Sequence, residues 1–178
     1  VYKASALVAN VLTQTAAAVS GASTSVKSAE AANAAASSIA KLITTATAPV
    51  DLSKAETLKT VLTESAKSTG TQAAVAKVVD QVSTVMASTN AEVSKIQATG
   101  TDVAAALQSV VKAQVVAQGS ASAALANAVK TGEAGTITTS FSGAALAAEI
   151  SKASVGTIAP GIEVVVTPNV PTSPGGGG

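Results

Sequence analysis

Only Tyr2 and Phe141 are aromatic in a chain of 178 residues, and this constrains the fold more than any other feature. Aromatic rings supply much of the contact area in most domain cores. Here the same space has to be closed by Ala and Val, which carry most of a 47% hydrophobic fraction. Ala buries little area, and a Val or Leu side chain gains about 1.5–3 kcal/mol when fully buried. Stability therefore has to come from many small contacts between backbones that approach closely, and helices with Ala-rich faces are the elements that permit this.

The periodicity agrees. Leu7, Val8, Val11, Leu12, Ala16 and Val19 recur at helical spacing and predict a first helix over Tyr2–Val19, ended by Ser20-Gly21. Ala29, Ala32, Ala36, Ile39, Leu42 and Ile43 predict a second helix over Ser25–Thr45, with Pro49 beyond it. A third opens at Asp51-Leu-Ser-Lys-Ala-Glu56, where Ser53 and Glu56 have the spacing of a capping box, and runs through Leu58, Leu62 and Ala66 to Ser68. The fourth has the strongest pattern: Val75, Val78, Val82, Val85, Thr89, Val93 and Ile96 form a stripe over Thr71–Gln97, with Val79 and Met86 beside it and Gly100 after it. Thr101-Asp102 is placed to cap a fifth helix with a stripe of Val103, Leu107, Val110, Val111 and Val115; Gly119 either breaks it or sits within it, and Leu125 and Val129 continue the face to Lys130. Gly132 and Gly135 mark a loop, and residues Ile137–Phe141 read as extended or as one helical turn. Ser142 is placed to cap a last helix carrying Leu146 and Ile150, ended by Gly156. The expected fold is all-α, an antiparallel bundle of about six helices joined by short connections. It occupies residues 1–156, and 157–178 form an extended connector with a β-branched run at Ile162–Thr167, then Pro168, Pro171, Pro174 and four glycines.

Charge adds little. Eleven basic and ten acidic residues leave +1, which does not make a nucleic-acid footprint. Lys27/Glu30, Glu56/Lys59, Glu64/Lys67, Lys77/Asp80, Glu92/Lys95 and Glu149/Lys152 are opposite charges three residues apart, the spacing of solvated helix faces. Mean hydropathy is +0.44, but the uncharged stretch between Lys3 and Lys27 is interrupted by Asn10, Gln14 and several Ser and Thr, so no membrane span is expected. The same interruptions argue against a signal peptide at the start. Both ends, Val1 and Pro-Gly-Gly-Gly-Gly, read as cuts through a longer polypeptide.

The residue inventory excludes much chemistry. There is no Cys, His or Trp, so Cys or His metal sites, Ser-His-Asp or Cys-His triads and disulfides are ruled out. Nor is there any Arg, so guanidinium recognition of phosphate is absent. The acidic residues do not cluster as paired acid/base carboxylates. Ser65/Lys67, Ser25/Lys27, Ser94/Lys95 and Ser151/Lys152 lack the S-x-x-K spacing of a Ser nucleophile with a Lys base, and Ser83 and Ser88 lack the Lys. Gly132-Glu-Ala-Gly135 is not a phosphate loop. Thr13/Thr24 and Thr60/Thr71 are eleven apart, as a regular ice-binding Thr face requires, but Ala35 and Val82 interrupt both series. No catalytic, cofactor-binding or metal-ligating residue is assigned.

In style the chain resembles the helical segments of very large secreted bacterial surface proteins of the adhesin-like, repeats-in-toxin type. The likeness lies in Ala-Leu-Val-Ala-Asn-Val-Leu-Thr at 6–13, Val-Val-Ala-Gln-Gly at 115–119, Phe-Ser-Gly-Ala-Ala-Leu-Ala-Ala-Glu-Ile at 141–150, and the exit through Val155-Gly156 into a Pro/Gly linker. The resemblance implies a non-catalytic spacer or interaction module, extracellular or at the cell surface, with neighbouring domains as partners. The family's calcium-binding nonapeptides are absent, so no residue inherits calcium binding. A self-assembling helical filament or coat protein is the alternative expectation, and a hydrolase-like enzyme a remote one.

Overall fold

A computed structural model describes residues 2–97 and 103–155. All regular structure among the described residues is helical. The elements are α1 (Tyr2–Gly21), α2 (Ser28–Thr45), α3 (Ala55–Thr69), α4 (Gln72–Val75), α5 (Val79–Lys95), α6 (Val103–Val116), a π-helical turn (Ala117–Ala121), α7 (Ser122–Thr131), α8 (Ile137–Ser140) and α9 (Gly143–Lys152). The β-branched run at 162–167, the Pro/Gly segment, Gly100, Thr101-Asp102 and Gly156 lie outside the described residues.

α1 is the central element and touches α2, α3, α5, α6 and α7. The main core joins Val11 and Ala18 of α1 to Leu58 and Leu62 of α3, Val82, Val85 and Met86 of α5, Leu125 of α7, and Phe141 and Leu146. A smaller cluster of Ala6, Val93, Val110 and Ala113 ties α1 and α5 to α6, with Tyr2 packed on it. Phe141 is thus the one aromatic side chain within a core that is otherwise aliphatic, and Tyr2 lies at the margin of the smaller cluster.

Close approach is achieved at Gly21. It is the last residue of α1, not the stop just past it, and a Cβ placed there would lie 2.4 Å from the carbonyl oxygen of Ala126 on α7. Its missing side chain is what lets the two backbones meet. Gly70, by contrast, ends α3 with φ +71. Its N–H donates to the Lys67 carbonyl and that of Thr71 to the Ala66 carbonyl, a Schellman closure that needs the left-handed conformation.

The helix expected over Thr71–Gln97 is divided. α4 ends at Val75, and Lys77 and Val78 donate to Ala74 and Val75, three residues back, before α5 starts. Val78, at φ −132 and ψ 11, leaves the helical region. The bend keeps Val75 and Val78 buried together with Val82 and Val85; packing therefore preserves the stripe while breaking the rod. α8 is the one-turn alternative for the region after Gly135. With these short pieces, and α6–π–α7 as one rod, the helices outnumber the six expected.

Two stripes are rotated from expectation. On α2 the buried residues are Ala31, Ala34, Ala35, Ser38 and Ile39, whereas Ala29 and Ala36 are exposed and Ile43 is 55% exposed. With Ala on almost every side, α2 has several equally apolar faces, and packing between α1 and α3 chooses among them. On α6, Ala106, Val110, Ala113 and Val116 are buried, whereas Val103, Val111 and Val115 are 47%, 38% and 45% exposed. The cause is the π turn, which holds one more residue than an α-helical turn and so shifts α6 by one residue relative to α7. Gly119 neither ends the rod nor continues it regularly. It lies inside that turn.

Two capping expectations also change. Ser53 does not cap α3. Its hydroxyl donates to Asp51 Oδ1 at 2.6 Å and its N–H to the same oxygen at 2.9 Å, while Lys54 occupies the cap position without a side-chain bond. A carboxylate two residues back outcompetes the helix N–H groups for the hydroxyl. Ser142 occupies the N-cap of α9 with its backbone only, since no side-chain cap bond forms.

Candidate functional site

The polar residues of α1 that interrupt its apolar pattern form the most organised side-chain group among the described residues. Asn10 and Gln14 are four apart, one helical turn, and both are fully buried. Gln118 Nε2, from the π turn, donates to Asn10 Oδ1 at 3.1 Å. Asn10 Nδ2 donates to Asn90 Oδ1 on α5 at 3.2 Å, and Asn90 Nδ2 to the Leu52 carbonyl at 2.7 Å. One turn further along α1, Gln14 Nε2 donates to Thr89 Oγ1 at 3.0 Å and to the Ala117 carbonyl at 3.2 Å, and Thr89 Oγ1 donates to the Met86 carbonyl at 2.9 Å. Ser122 Oγ also donates to the Ala117 carbonyl, at 2.8 Å.

These two relays join four parts of the chain that are remote in sequence: α1, α5, the segment before α3, and the π turn. Each donor needs a partner at one rotational setting of its helix, so the network fixes register where Ala and Val alone would slide. Removing one partner strands a buried amide or carbonyl at a cost of about 1–3 kcal/mol. Side-chain amide and hydroxyl groups do not ionise in the ordinary pH range, so the group orients helices and offers no acid or base.

Thr15, next to Gln14, is fully buried and its Oγ1 has no hydrogen-bond partner. Ser38 and Ser65 meet between α2 and α3 at 3.2 Å, each also bonded to the carbonyl four residues back on its own helix.

The Ser/Lys pairs considered from sequence are not brought together. Ser65 is buried, whereas Lys67 pairs with Glu64 at 2.6 Å on the surface. Ser94 and Ser151 donate to the carbonyls of Asn90 and Ala148, while Lys95 and Lys152 pair with Glu92 and Glu149. Ser25 meets Ser23 at 2.8 Å. Ser83 and Ser88 bond to the carbonyls of Asp80 and Thr84. The Thr60/Thr71 pair does not share a face, since Thr60 is exposed and Thr71 is buried against Thr69.

Of the six expected charge pairs, Glu64/Lys67, Glu92/Lys95 and Glu149/Lys152 form. Lys59 instead reaches across from α3 to Asp80 of α5 at 2.6 Å, and Lys41 of α2 joins Glu64 at 3.4 Å. The bond to Asp80 raises the Lys59 pKa. Bonds from Lys67 and Lys41 lower that of Glu64, and the Ser53 hydroxyl and N–H lower that of Asp51. Lys3 Nζ donates to the Ser94 and Ile96 carbonyls at the C-terminal end of α5, a favourable place for a cation.

Two open concavities lie beside α1. One, of about 540 Å³, is walled by Leu7, Val8, Ile43, Pro49 and Leu52, with Asp51 at its edge. The other, of about 620 Å³, lies between α1, α2 and the π turn and is lined largely by Ala, Ser and Gly119. Neither gathers titratable groups. Glu56 and Glu64 share a surface hollow on α3 with Lys59 between them, but eight residues of helix hold them about 12 Å apart along the axis. Among the described residues no group of acidic side chains has the arrangement of a metal site, and no helix is long and apolar enough to cross a membrane. No family model, curated protein or solved structure matches the chain.

Proposed function

We propose that the chain is a non-catalytic structural spacer or interaction module of a secreted or cell-surface protein, its helices arranged as an antiparallel bundle with the segment beyond residue 156 as a connector to neighbouring domains. The observation that carries this reading is the buried amide relay Gln118–Asn10–Asn90–Leu52. The chain's best-organised polar group is spent on holding helices in register, and the candidate nucleophiles are bonded to helix carbonyls. A chain lacking Cys, His and Trp also suits export in an unfolded state. The test is hydrodynamic and thermodynamic. The chain should be monomeric by light scattering at millimolar concentration and should unfold in one transition. Assembly that grows with concentration would replace the spacer with the second reading below.

That second reading is a self-assembling helical filament. It is favoured by one observation, the exposed row Val103, Val111 and Val115 on α6, since apolar rows of this kind mark contact surfaces. Val111→Lys should then abolish assembly.

A further inference from the structure

We propose that α6 is a two-register element. Conversion of the π turn to α-helix would rotate α6 by one residue about its own axis, about 100°. Half-buried Leu107 and exposed Val111 would then take the places of the inward Ala106 and Val110.

In an unbroken α-helix, residues seven apart lie on nearly the same side. Val129 and Ser122 of α7 are buried, and the next member of that series is Val115. Leu125 of α7 is buried, and its series runs through Gln118 to Val111. A straight helix continuing α7 would therefore turn Val111 and Val115 towards the core, with Leu107 and Val103 following at steps of four. For the α register the chain carries Val103, Leu107, Val111 and Val115 in a row at steps of four, and the π turn holds Val103, Val111 and Val115 outside.

The hinge has the properties such a change needs. Gly119 is exposed, and a Cβ added there would meet nothing within 4 Å. Neither a close approach nor a left-handed φ calls for glycine in the observed state, yet glycine weakens the helix at this point and eases its rewinding. The π turn is held from α1, by Gln14 on the Ala117 carbonyl and Asn10 on the Gln118 amide. A one-residue rotation carries Gln118 towards the place of Ala117, beside the same α1 amides, so the polar row of α1 has a partner in both registers. It also carries Gln114 towards the place of Ala113, among Ala6, Val93 and Val110. That exchange disfavours the rotated state and leaves the π register dominant.

The absence of native cysteine permits a direct test by disulfide trapping in a glutathione buffer. Val93→Cys with Val110→Cys reports the present register, and Val93→Cys with Val111→Cys the rotated one. Val93→Cys with Ser109→Cys reports rotation in the opposite sense. Expected are intramolecular bonds in the first two pairs, with the second forming at least tenfold faster than the third. Deleting Ser120 removes the extra residue and should slow the second pair to the rate of the third while sparing the first. Should that deletion fail to fold, Gln114→Leu serves instead: it removes the polar group that rotation would carry in among Ala6 and Val93 and should speed the second pair severalfold. A second pair no faster than the third, or one that links only between molecules, overturns the proposal. So does a folded variant that leaves the second pair's rate unchanged.

Discussion

Gly21 sets the spacing between α1 and α7, because a methyl group there would sit 2.4 Å from the Ala126 oxygen. Backbone, not a flexible side chain, stands in the way, so Gly21→Ala should cost about 1–3 kcal/mol, read as a lower denaturant midpoint at unchanged slope. Thr15 makes the opposite case. Its hydroxyl is buried without a partner, and Thr15→Val keeps the shape while removing the unsatisfied group. This change should be neutral or stabilising by up to about 1 kcal/mol, whereas Asn90→Leu, which strands Asn10 and the Leu52 carbonyl, should destabilise by about 1–3 kcal/mol. Asp51 and Glu64 have pKa values lowered by their hydrogen bonds. Their contribution is therefore complete above the ordinary carboxylate pKa and is lost as pH falls through the folded values, below about pH 4. A pH titration of thermal stability should show an acid limb that Asp51→Asn makes shallower. Asn10 and Gln14 had a signal in the sequence. They stand four apart inside an apolar pattern, and Thr89 lies in the Val stripe of α5 with Asn90 beside it. Read singly, they look like interruptions; their pairing across 75 to 80 residues of sequence appears only when the helices are packed.

The stripe of α5 was legible because its valines stand out from the smaller and polar residues between them, and Val82, Val85 and Val93 are indeed fully buried. α2 was legible as a helix but not in its orientation, since a face of Ala31 and Ala35 differs little in hydrophobicity from one of Ala29 and Ala36. On α6 the stripe followed α-helical spacing, with Gly119 either breaking the helix or lying within it, and no residue type signals a π turn in advance. The positions therefore differ measurably in energy. Val110→Ala should cost about 1–3 kcal/mol as a core truncation, and its neighbour Val111→Ala should stay within about 0.5 kcal/mol as a surface change. Equal losses at both positions would mean that the π turn is absent from the folded protein in solution. The ends of α3 and α7 were the easiest to place. Gly70 and Gly132 close them with φ +71 and +74, a conformation that glycine adopts without strain.

At the scale of the whole molecule, α1 contacts most of the other helices, and the main core draws on both halves of the chain. Val11→Asp, which would place a carboxylate at a fully buried position of α1, should abolish the folded state as a unit. Far-UV circular dichroism would then fall for every helix at once instead of by the share of α1. The polar interior described above consists of Asn, Gln, Ser and Thr, and among the described residues no ionisable side chain is buried. Met86, the chain's sole methionine, lies fully within that interior. The sole thioether is thus out of reach of dissolved peroxide while the fold is closed. Sulfoxide formation, followed by mass as the addition of one oxygen, should proceed only through opening. Met86 is in effect a clock that records how often the molecule comes apart.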